Sequence, residues 1–142
     1  MIKQLSVFVE NKQGALVETA GLLANKKINI RAMTLADTTK YGVLRMIVDD
    51  LPAAQTALFD GGFITKATEV VAVAMPDTAG ALHDIIEVLA KVGVDVEYLY
   101  AFNHGTANTA YVVLRVNDIP LSEKALTEAG FPVLDSDALA KM

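Results

Sequence analysis

The chain has 142 residues, of which 53% are apolar and 20% charged, so it fits one ordinary domain or two small ones and is not a disordered chain. A formal net charge of -5 without a basic cluster argues against a nucleic-acid partner, and the absence of cysteine excludes disulfide bonds and thiolate metal sites. We expect a cytoplasmic protein with no membrane association, because its apolar runs are far shorter than the roughly 20 residues that cross a bilayer.

The sequence repeats itself. Residues 7–16 align with residues 73–82 at an offset of 66 residues. Further on, residues 48–52 match residues 116–120 at an offset of 68. The change of offset predicts a two-residue insertion in the intervening hairpin of the second copy. The chain is therefore predicted to be two copies of one unit.

The two copies are predicted to be domains of residues 1–68 and 69–142, joined with almost no linker. In chain order, the first copy is predicted to hold a strand from Leu5 to Val9, a helix through Leu16 and Leu23, strands from Ile28 to Asp37 and from Val43 to Asp49, a helix from Pro52 to Gly62, and a strand from Phe63. The second copy repeats them: Val70 to Met75, a helix through Leu82 and Leu89, Val94 to Asn103, Ala110 to Asn117, a helix from Pro120 to Gly130, and a strand from Phe131. Turns are predicted at residues 38–42 and 104–108.

This element order defines the predicted fold class. Each copy follows β-α-β-β-α-β, the split-βαβ arrangement. We therefore predict an α+β protein of two tandem ferredoxin-like units, each with an antiparallel sheet and its helices on one face. Such a fold serves many functions and does not decide between them.

The turn after the first strand is more informative. Its sequence, Asn11-Lys12-Gln13-Gly14-Ala15-Leu16, is echoed by Asp77-Thr78-Ala79-Gly80-Ala81-Leu82. This pattern resembles the signature of ACT domains, the small-molecule-sensing modules of amino-acid metabolism. The phrases Ile28-Asn29-Ile30 and Val94-Asp95-Val96 are also similar to that family. The resemblance covers essentially the whole chain as two tandem ACT domains.

These turns have the chemistry to hold a free amino acid. The unpaired N–H groups at a helix N-terminus suit a carboxylate, and Gly14 and Gly80 allow the backbone to approach a ligand closely. Asn11 and Asp77 offer oxygen acceptors to an ammonium group. The alternative interpretation is that Asn11 and Asp77 are only helix N-cap residues and the glycines only turn residues.

The resemblance also implies where the effector lies. Similar ACT pairs join their sheets edge to edge, and the ligand sits between the turn of one domain and the start of the second strand of its neighbour. Carried over to this chain, one set is Asn11, Gly14, Ala15 and Leu16 facing Asp95 and Val96, and the other is Asp77, Gly80, Ala81 and Leu82 facing Asn29 and Ile30. Because Asn and Asp are exchanged between the copies, we expect the two sites to differ in affinity or one of them to be empty.

Other candidate residues are weaker. His83 and Glu87 stand four apart on one helix, but two ligands do not make a zinc site, so we predict no metal and no cofactor. His83 and Asp84 are adjacent in a helix and are expected to point in different directions. Tyr98, Tyr100 and Phe102 share one strand face, which favours a core or an inter-domain contact over a ligand-stacking platform.

The leading hypothesis is a stand-alone tandem ACT-domain protein that binds an amino acid and regulates a partner without catalysis. We expect a homodimer, since the first-copy helix is apolar on its outer side and unpaired strand edges favour association. The alternative is a small regulatory subunit of an amino-acid biosynthetic enzyme, such as that of acetolactate synthase. A third hypothesis is a small enzyme that uses His83 or His104.

Overall fold

The structure is a computed structural model that describes residues 1–37 and 40–142. The chain divides into two compact units. We call Lys3–Thr68 the N-terminal unit, and Glu69–Met142 together with Met1–Ile2 the C-terminal unit. Among the described residues, no helix is long and apolar enough to cross a membrane.

Both units follow the predicted β-α-β-β-α-β order, and the α+β fold of two tandem ferredoxin-like units is confirmed. The N-terminal unit contains β1 (Ile2–Glu10) except for its first residue, then α1 (Ala15–Asn25), β2 (Ile30–Asp37), β3 (Tyr41–Val48), α2 (Leu51–Asp60) and the first residues of β4 (Ile64–Pro76). The C-terminal unit contains the rest of β4, then α3 (Ala81–Lys91), β5 (Val96–Phe102), β6 (Thr109–Val116), α4 (Ile119–Glu128), β7 (Val133–Leu134) and α5 (Ser136–Ala140).

The strands of each unit pair in the same antiparallel register. In the N-terminal unit β3 lies between β1 and β2, and in the C-terminal unit β6 lies between β4 and β5. Leu35 pairs with Leu44, nine residues on, whereas Ala101 pairs with Val112, eleven residues on. The predicted two-residue insertion in the second hairpin is therefore confirmed.

One sheet face of each unit carries the apolar core. Alternate residues of the central strands meet there, as in the pairs Val7–Leu44 and Val73–Val112. The helices cover this face with one buried stripe each: Ala15, Thr19 and Leu23 on α1, Ala54, Ala57 and Leu58 on α2, Ala81, Ile85 and Leu89 on α3, and Ser122, Ala125 and Leu126 on α4. Burying a leucine side chain contributes about 1.5–3 kcal/mol, so these stripes hold the helices to the sheet.

Several predicted boundaries are wrong, and helix endings explain two of them. The strands predicted from Ile28 and Val94 begin two residues later, because the N–H groups of Ile28 and Val94 complete the ends of α1 and α3.

The predicted strands at Phe63 and at Val70 to Met75 form the single strand β4. The strand predicted from Phe131 is only two residues long and is followed by α5, which the sequence analysis missed. The predicted turn residues Thr38 and Thr39 lie outside the described residues.

The four main helices all end in a left-handed residue that closes two backbone hydrogen bonds. Gly62, Gly93 and Gly130 have φ of 88°, 75° and 91°, and Lys27 has a φ of 57°. At Lys27 the pattern is complete, with its N–H donating to Ala24 (2.9 Å) and the Ile28 N–H donating to Leu23 (3.0 Å). Lysine has a Cβ that disfavours this conformation, so this helix end is strained where its counterpart Gly93 is not.

We therefore expect Lys27→Gly to stabilise the protein. Removing the Cβ relieves the strain of the left-handed conformation. The greater freedom of glycine in the unfolded chain offsets part of this gain. The free energy of unfolding should therefore rise by about 0.5–1 kcal/mol. Urea denaturation measures the change. The reverse substitution in the second copy, Gly93→Lys, should lower the free energy of unfolding by about 1 kcal/mol. A neutral result for both variants would contradict this account.

Candidate functional site

The turns that join β1 to α1 and β4 to α3 have the same backbone conformation. Gly14 has a φ of 87° and Gly80 a φ of 88°, in the left-handed region that favours glycine. A Cβ placed on either glycine would meet no atom within 4 Å. The backbone angle, and not crowding, therefore requires glycine here, and the space beside it is open.

Each turn is tied to the hairpin of its own unit. The Asn11 N–H donates to the Lys40 carbonyl oxygen at 3.2 Å, and the Asp77 N–H donates to the Asn108 carbonyl oxygen at 2.8 Å. Asn108 has a φ of 60°, which asparagine tolerates better than most residues. These bonds fix the points at which the side chains of Asn11 and Asp77 leave the backbone.

The helices that follow these turns lack the cap that other helices of the chain have. Helices α2, α4 and α5 begin at aspartates that accept a hydrogen bond from the third helical N–H: Asp50, Asp118 and Asp135, at 3.0, 3.0 and 2.7 Å. Helices α1 and α3 begin at Gly14 and Gly80, with no side-chain acceptor. The alternative interpretation of Asn11 and Asp77 as N-cap residues is therefore wrong, since each lies three residues before the N-cap.

The Asp77 carboxylate is exposed. It makes no hydrogen bond or ion pair within the part of the chain that the structure describes. An unpaired carboxylate accepts a charged donor such as an ammonium group strongly. The C-terminal unit thus presents an anion and an uncapped helix start on one turn.

The predicted partner residues lie at the other end of each sheet. Ile30 pairs with Val48 and Glu10 pairs with Tyr41, at opposite ends of β3. This strand is eight residues long, so the two ends are roughly 24 Å apart at about 3.4 Å per residue. The start of the second strand therefore cannot reach the turn after the first strand of the same unit. This applies to both predicted sets, Asn29 with Ile30 and Asp95 with Val96.

The start of the second strand has a local structural role that the sequence analysis missed. The Asn29 N–H donates to Asp49 Oδ1 and the Asp95 N–H donates to Asn117 Oδ1, both at 3.0 Å. In the first unit a backbone hydrogen bond joins the same two residues in the opposite direction, from the Asp49 N–H to the Asn29 carbonyl oxygen at 3.2 Å. The backbone N–H groups of Asn29 and Asp95 are therefore already used, and only their exposed side chains remain for a ligand.

A cleft of about 210 Å³ lies beside the β1–α1 turn, on the side of the hairpin; we call it the hairpin-side cleft. It is lined by Val9, Glu10, Asn11, Lys12, Ala15, Leu16, Leu35 and Gly42. Three predicted site residues therefore meet there, namely Asn11, Ala15 and Leu16. Sequence reasoning missed Leu35 and Gly42, although the strand register that joins them to the turn could have indicated both.

Two further clefts lie on the side of the second helix. The α2-side cleft, of about 250 Å³, is lined by Phe8, Val9, Glu10, Lys12, Ala15, Glu18, Tyr41, Gly62, Phe63 and Ile64. The α4-side cleft, of about 370 Å³, is lined by Ala74, Met75, Pro76, Asn108, Thr109, Gly130, Phe131 and Pro132. The predicted residues Asp77, Gly80, Ala81 and Leu82 lie outside the lining of the α4-side cleft.

The histidines are exposed and lie outside these three clefts. His83 Nδ1 lies 3.5 Å from Asp84 Oδ1, so the expectation that these neighbours point apart is wrong. Ligand atoms of His83, Asp84 and Glu87 lie within 4.8 Å of one another, but Glu87 also pairs with Lys91 at 3.7 Å. Solvated charges on an exposed helix face account for this group.

The aromatic stripe of β5 lies in the sheet face away from α3 and α4. Phe102 stacks on Tyr111 across the strands with ring centroids 5.2 Å apart, and Tyr100 is 7% exposed. Rings that are buried or stacked on each other offer no open platform to a ligand. A buried contact is therefore a better interpretation of the stripe than a ligand-stacking platform.

The chain matches the family model described as an ACT domain pair over residues 1–142. It is similar to the solved structure of protein BT0572 from Bacteroides thetaiotaomicron, at 37% sequence identity and a TM-score of 0.92, over 99% of this chain and 96% of that one. No protein of curated function matches the chain.

Two more distant structures share the fold. The regulatory subunit of aspartate kinase from Thermus thermophilus, in its ligand-free form, has 13% identity and a TM-score of 0.67, over 90% of this chain and 91% of that one. The corresponding subunit from Thermus flavus has 14% identity and a TM-score of 0.58, over 89% and 91%. At these identities the likeness is one of fold.

The contrast between capped and uncapped helices is testable by stability. Asp77→Ala should change the free energy of unfolding by less than about 0.5 kcal/mol, because its carboxylate holds no helix N–H, whereas Asp118→Ala should cost about 1 kcal/mol. Urea denaturation of the two variants measures both. Equal losses would contradict the assignment of Gly80 as the N-cap.

Proposed function

The chain belongs to the ACT domain pair family, and on this basis we propose that it binds a free amino acid in the cytoplasm and thereby regulates a partner protein. The observation that carries the proposal is the pair of uncapped helix starts at Gly14 and Gly80. The two turns have the same conformation, and each is open to solvent. These properties favour the binding of a small polar effector over a purely structural role for the turns.

The carboxylate of the amino acid would bind at the helix start. The N-cap residues of α1 and α3, Gly14 and Gly80, supply no side-chain acceptor to the first helical N–H groups, and the helix dipole adds a partial positive charge there. A ligand carboxylate supplies the acceptor that Asp118 supplies to α4. The left-handed backbone requires glycine at both positions, and the ligand takes the place of the side-chain cap that glycine cannot supply.

The ammonium group would bind the polar side chain three residues earlier. Asp77 offers an unpaired carboxylate, and Asn11 offers an amide oxygen at the equivalent position. Because the charged acceptor binds an ammonium group more strongly, the turn at Asp77 is the tighter site of the two. In the N-terminal unit the apolar walls of the hairpin-side cleft, Leu16 and Leu35, would take the side chain of the effector.

Any contact from Asn29, Ile30, Asp95 or Val96 has to come from a unit other than the one whose turn holds the ligand. Association of two chains is one source of such a unit. We propose a homodimer built on an exposed apolar face of the N-terminal unit, formed by Leu16, Val17, Met33 and Leu35, which are 43%, 74%, 47% and 49% exposed. An apolar face of this kind is typical of an interaction site.

We propose that the protein has no catalytic activity of its own. His83 and His104, on which a small enzyme would depend, are exposed and stand apart from the clefts. The second candidate is a small regulatory subunit of an amino-acid biosynthetic enzyme, favoured by the fold shared with an aspartate kinase regulatory subunit. Purification from the native cell distinguishes them, since a stoichiometric large subunit indicates the second candidate.

Amino-acid binding is expected to depend on the turns. A ligand of about ten heavy atoms gives a Kd between millimolar and micromolar. A thermal-shift experiment with the twenty amino acids identifies the effector, because a ligand that binds only the folded state raises Tm. Calorimetry of Asp77→Ala should then show a lower stoichiometry, and the double variant with Asn11→Ala should not bind.

The matched control for these variants is Asp137→Ala, which removes an exposed carboxylate far along the chain from either turn. It should bind as the parent does. If the double variant also binds every amino acid as the parent does, the turns are structural and the proposed site is wrong.

The homodimer is tested by light scattering with and without the effector. A mass of two chains at micromolar concentration is expected. Val17→Asp should shift the mass toward one chain, because it places a charge in the apolar face. The variant should still fold, because an acidic residue in the first turn of α1 interacts favourably with the helix dipole. His83→Asp, at the equivalent position of α3, should leave the mass unchanged. A single-chain mass for the parent would refute the dimer.

A further inference from the structure

The apolar lining of the hairpin-side cleft comes from one face of the sheet and from the helix above it. Val9, Leu35 and Gly42 belong to β1, β2 and β3, and the strand register places all three on the face that carries the core. Ala15 and Leu16 line the same cleft from the first turn of α1. A ligand that enters the cleft therefore meets apolar groups on two sides.

Gly42 is a glycine for reasons of space. It lies within β3 and its φ is not positive, so the backbone does not require glycine here. A Cβ at this position would lie 3.1 Å from Leu35 Cδ1 and 3.3 Å from the Ala36 carbonyl oxygen. Both distances are shorter than an ordinary van der Waals contact. The end of the Leu35 side chain therefore takes the place that a side chain at position 42 would need.

This contact gives the cleft a wall that is not part of the core. Leu35 stands opposite Leu44, and Gly42 is its diagonal neighbour across the two strands. Leu35 is 49% exposed and lies outside the core cluster of the N-terminal unit. Its side chain is thus held at one end by the contact with Gly42, while the rest remains open to a ligand.

The second copy has a different pair at the same positions. Ala101 and Ala110 stand where the first copy has Leu35 and Gly42, at the offsets of 66 and 68 that relate the two hairpins. The turns beside them keep the same glycine, alanine and leucine in both copies. The two units therefore share the turn and differ in the wall next to it. A difference of this kind affects which ligand is preferred rather than whether one is bound.

The charges in the lining are already paired. Among the described residues that line the hairpin-side cleft, Glu10 and Lys12 are ionisable, and Lys12 Nζ lies 3.3 Å from Glu10 Oε2. A polar ligand side chain placed against the apolar wall would lose hydrogen bonds to water without replacing them, which costs free energy. An aliphatic side chain has no such loss, so the lining favours it.

We propose that the pair of Leu35 and Gly42 makes the N-terminal turn selective for an amino acid with an aliphatic side chain. This inference rests on the proposed function, in which the turn at Gly14 and Asn11 holds the carboxylate and the ammonium group. The aliphatic side chain lies between Leu16 and Leu35, and Gly42 leaves the space into which Leu35 leans. The C-terminal turn lacks this wall and does not share the preference.

The probes are L-leucine and L-asparagine, whose side chains have nearly the same shape but opposite polarity. They are titrated by calorimetry into the full chain carrying Asp77→Ala, so that the N-terminal turn is the site measured. Leucine should bind with a Kd between millimolar and micromolar, at least about fivefold more tightly than asparagine. Equal binding of the two, or tighter binding of asparagine, would overturn the proposal.

The C-terminal turn is the internal comparison. In the chain carrying Asn11→Ala, where the turn at Asp77 is the site measured, leucine and asparagine should bind about equally, because Ala101 supplies no wall. If this turn prefers leucine as strongly as the N-terminal turn does, the wall is not the cause of the preference and the proposal is wrong.

Leu35→Ala tests the wall directly. In the Asp77→Ala chain it should weaken leucine binding about fivefold, because the ligand loses apolar contact, and should leave the binding of L-alanine, which has only one methyl group, nearly unchanged. The matched control is Met33→Ala, which removes a side chain of similar exposure from the same face of β2, outside the lining of the cleft. Equal effects of the two variants on leucine binding would refute the assignment.

Gly42→Ala tests the contact between the two residues. The added Cβ displaces the Leu35 side chain and should weaken leucine binding. Once Leu35→Ala is present, the same substitution should have little further effect, since the side chain that it displaces is gone. Losses that simply add would contradict a wall formed by the pair.

These variants separate the inference from the proposed function. If Asn11→Ala abolishes leucine binding in the Asp77→Ala chain while Leu35→Ala leaves it unchanged, the turn binds the amino acid and only the selectivity fails. If none of the twenty amino acids binds the parent, the proposed function fails and this inference fails with it.

Discussion

The left-handed backbone at Gly14 and Gly80 is the constraint on which both units depend. It ends the first strand and begins the first helix within four residues, and it keeps the turn within reach of the hairpin carbonyl to which Asn11 or Asp77 donates. The same conformation leaves the helix without a side-chain cap, which elsewhere contributes about 1 kcal/mol. The chain thus forgoes two stabilising contacts and exposes two helix starts.

Much of the fold could be predicted from local sequence because each unit repeats the same local signals. Apolar residues at helical spacing, Pro52 and Gly62 at the ends of α2, and the change of offset from 66 to 68 each define one element or its register. The predictions that failed concern elements whose local sequence carries too weak a signal. Helix α5 begins at Asp135 because its carboxylate caps Ala138, a signal too short to separate from a loop.

The site could be predicted only in part, for a related reason. The turn residues are contiguous, and their resemblance to one family made them candidates. The clefts are formed by segments far apart in the chain, such as Phe8, Tyr41 and Phe63, and a sequence does not show how closely such side chains approach. The contact of His83 with Asp84 depends on the rotamers of the two side chains. The direction of neighbouring residues on a helix had predicted that they point apart.

The exchanged acid and amide at the start of the second strand bear on how the repeats fold. Within each unit a residue pair at one sheet end contains one carboxylate and one amide, Asn29 with Asp49 and Asp95 with Asn117. If a nascent chain paired the second strand of one repeat with the third strand of the other, Asp95 would meet Asp49 and two carboxylates would share one sheet end. Like charges placed opposite each other are destabilising, and misassembly between similar repeats is a common failure of such chains. The exchange therefore favours the pairing of each second strand with the third strand of its own unit.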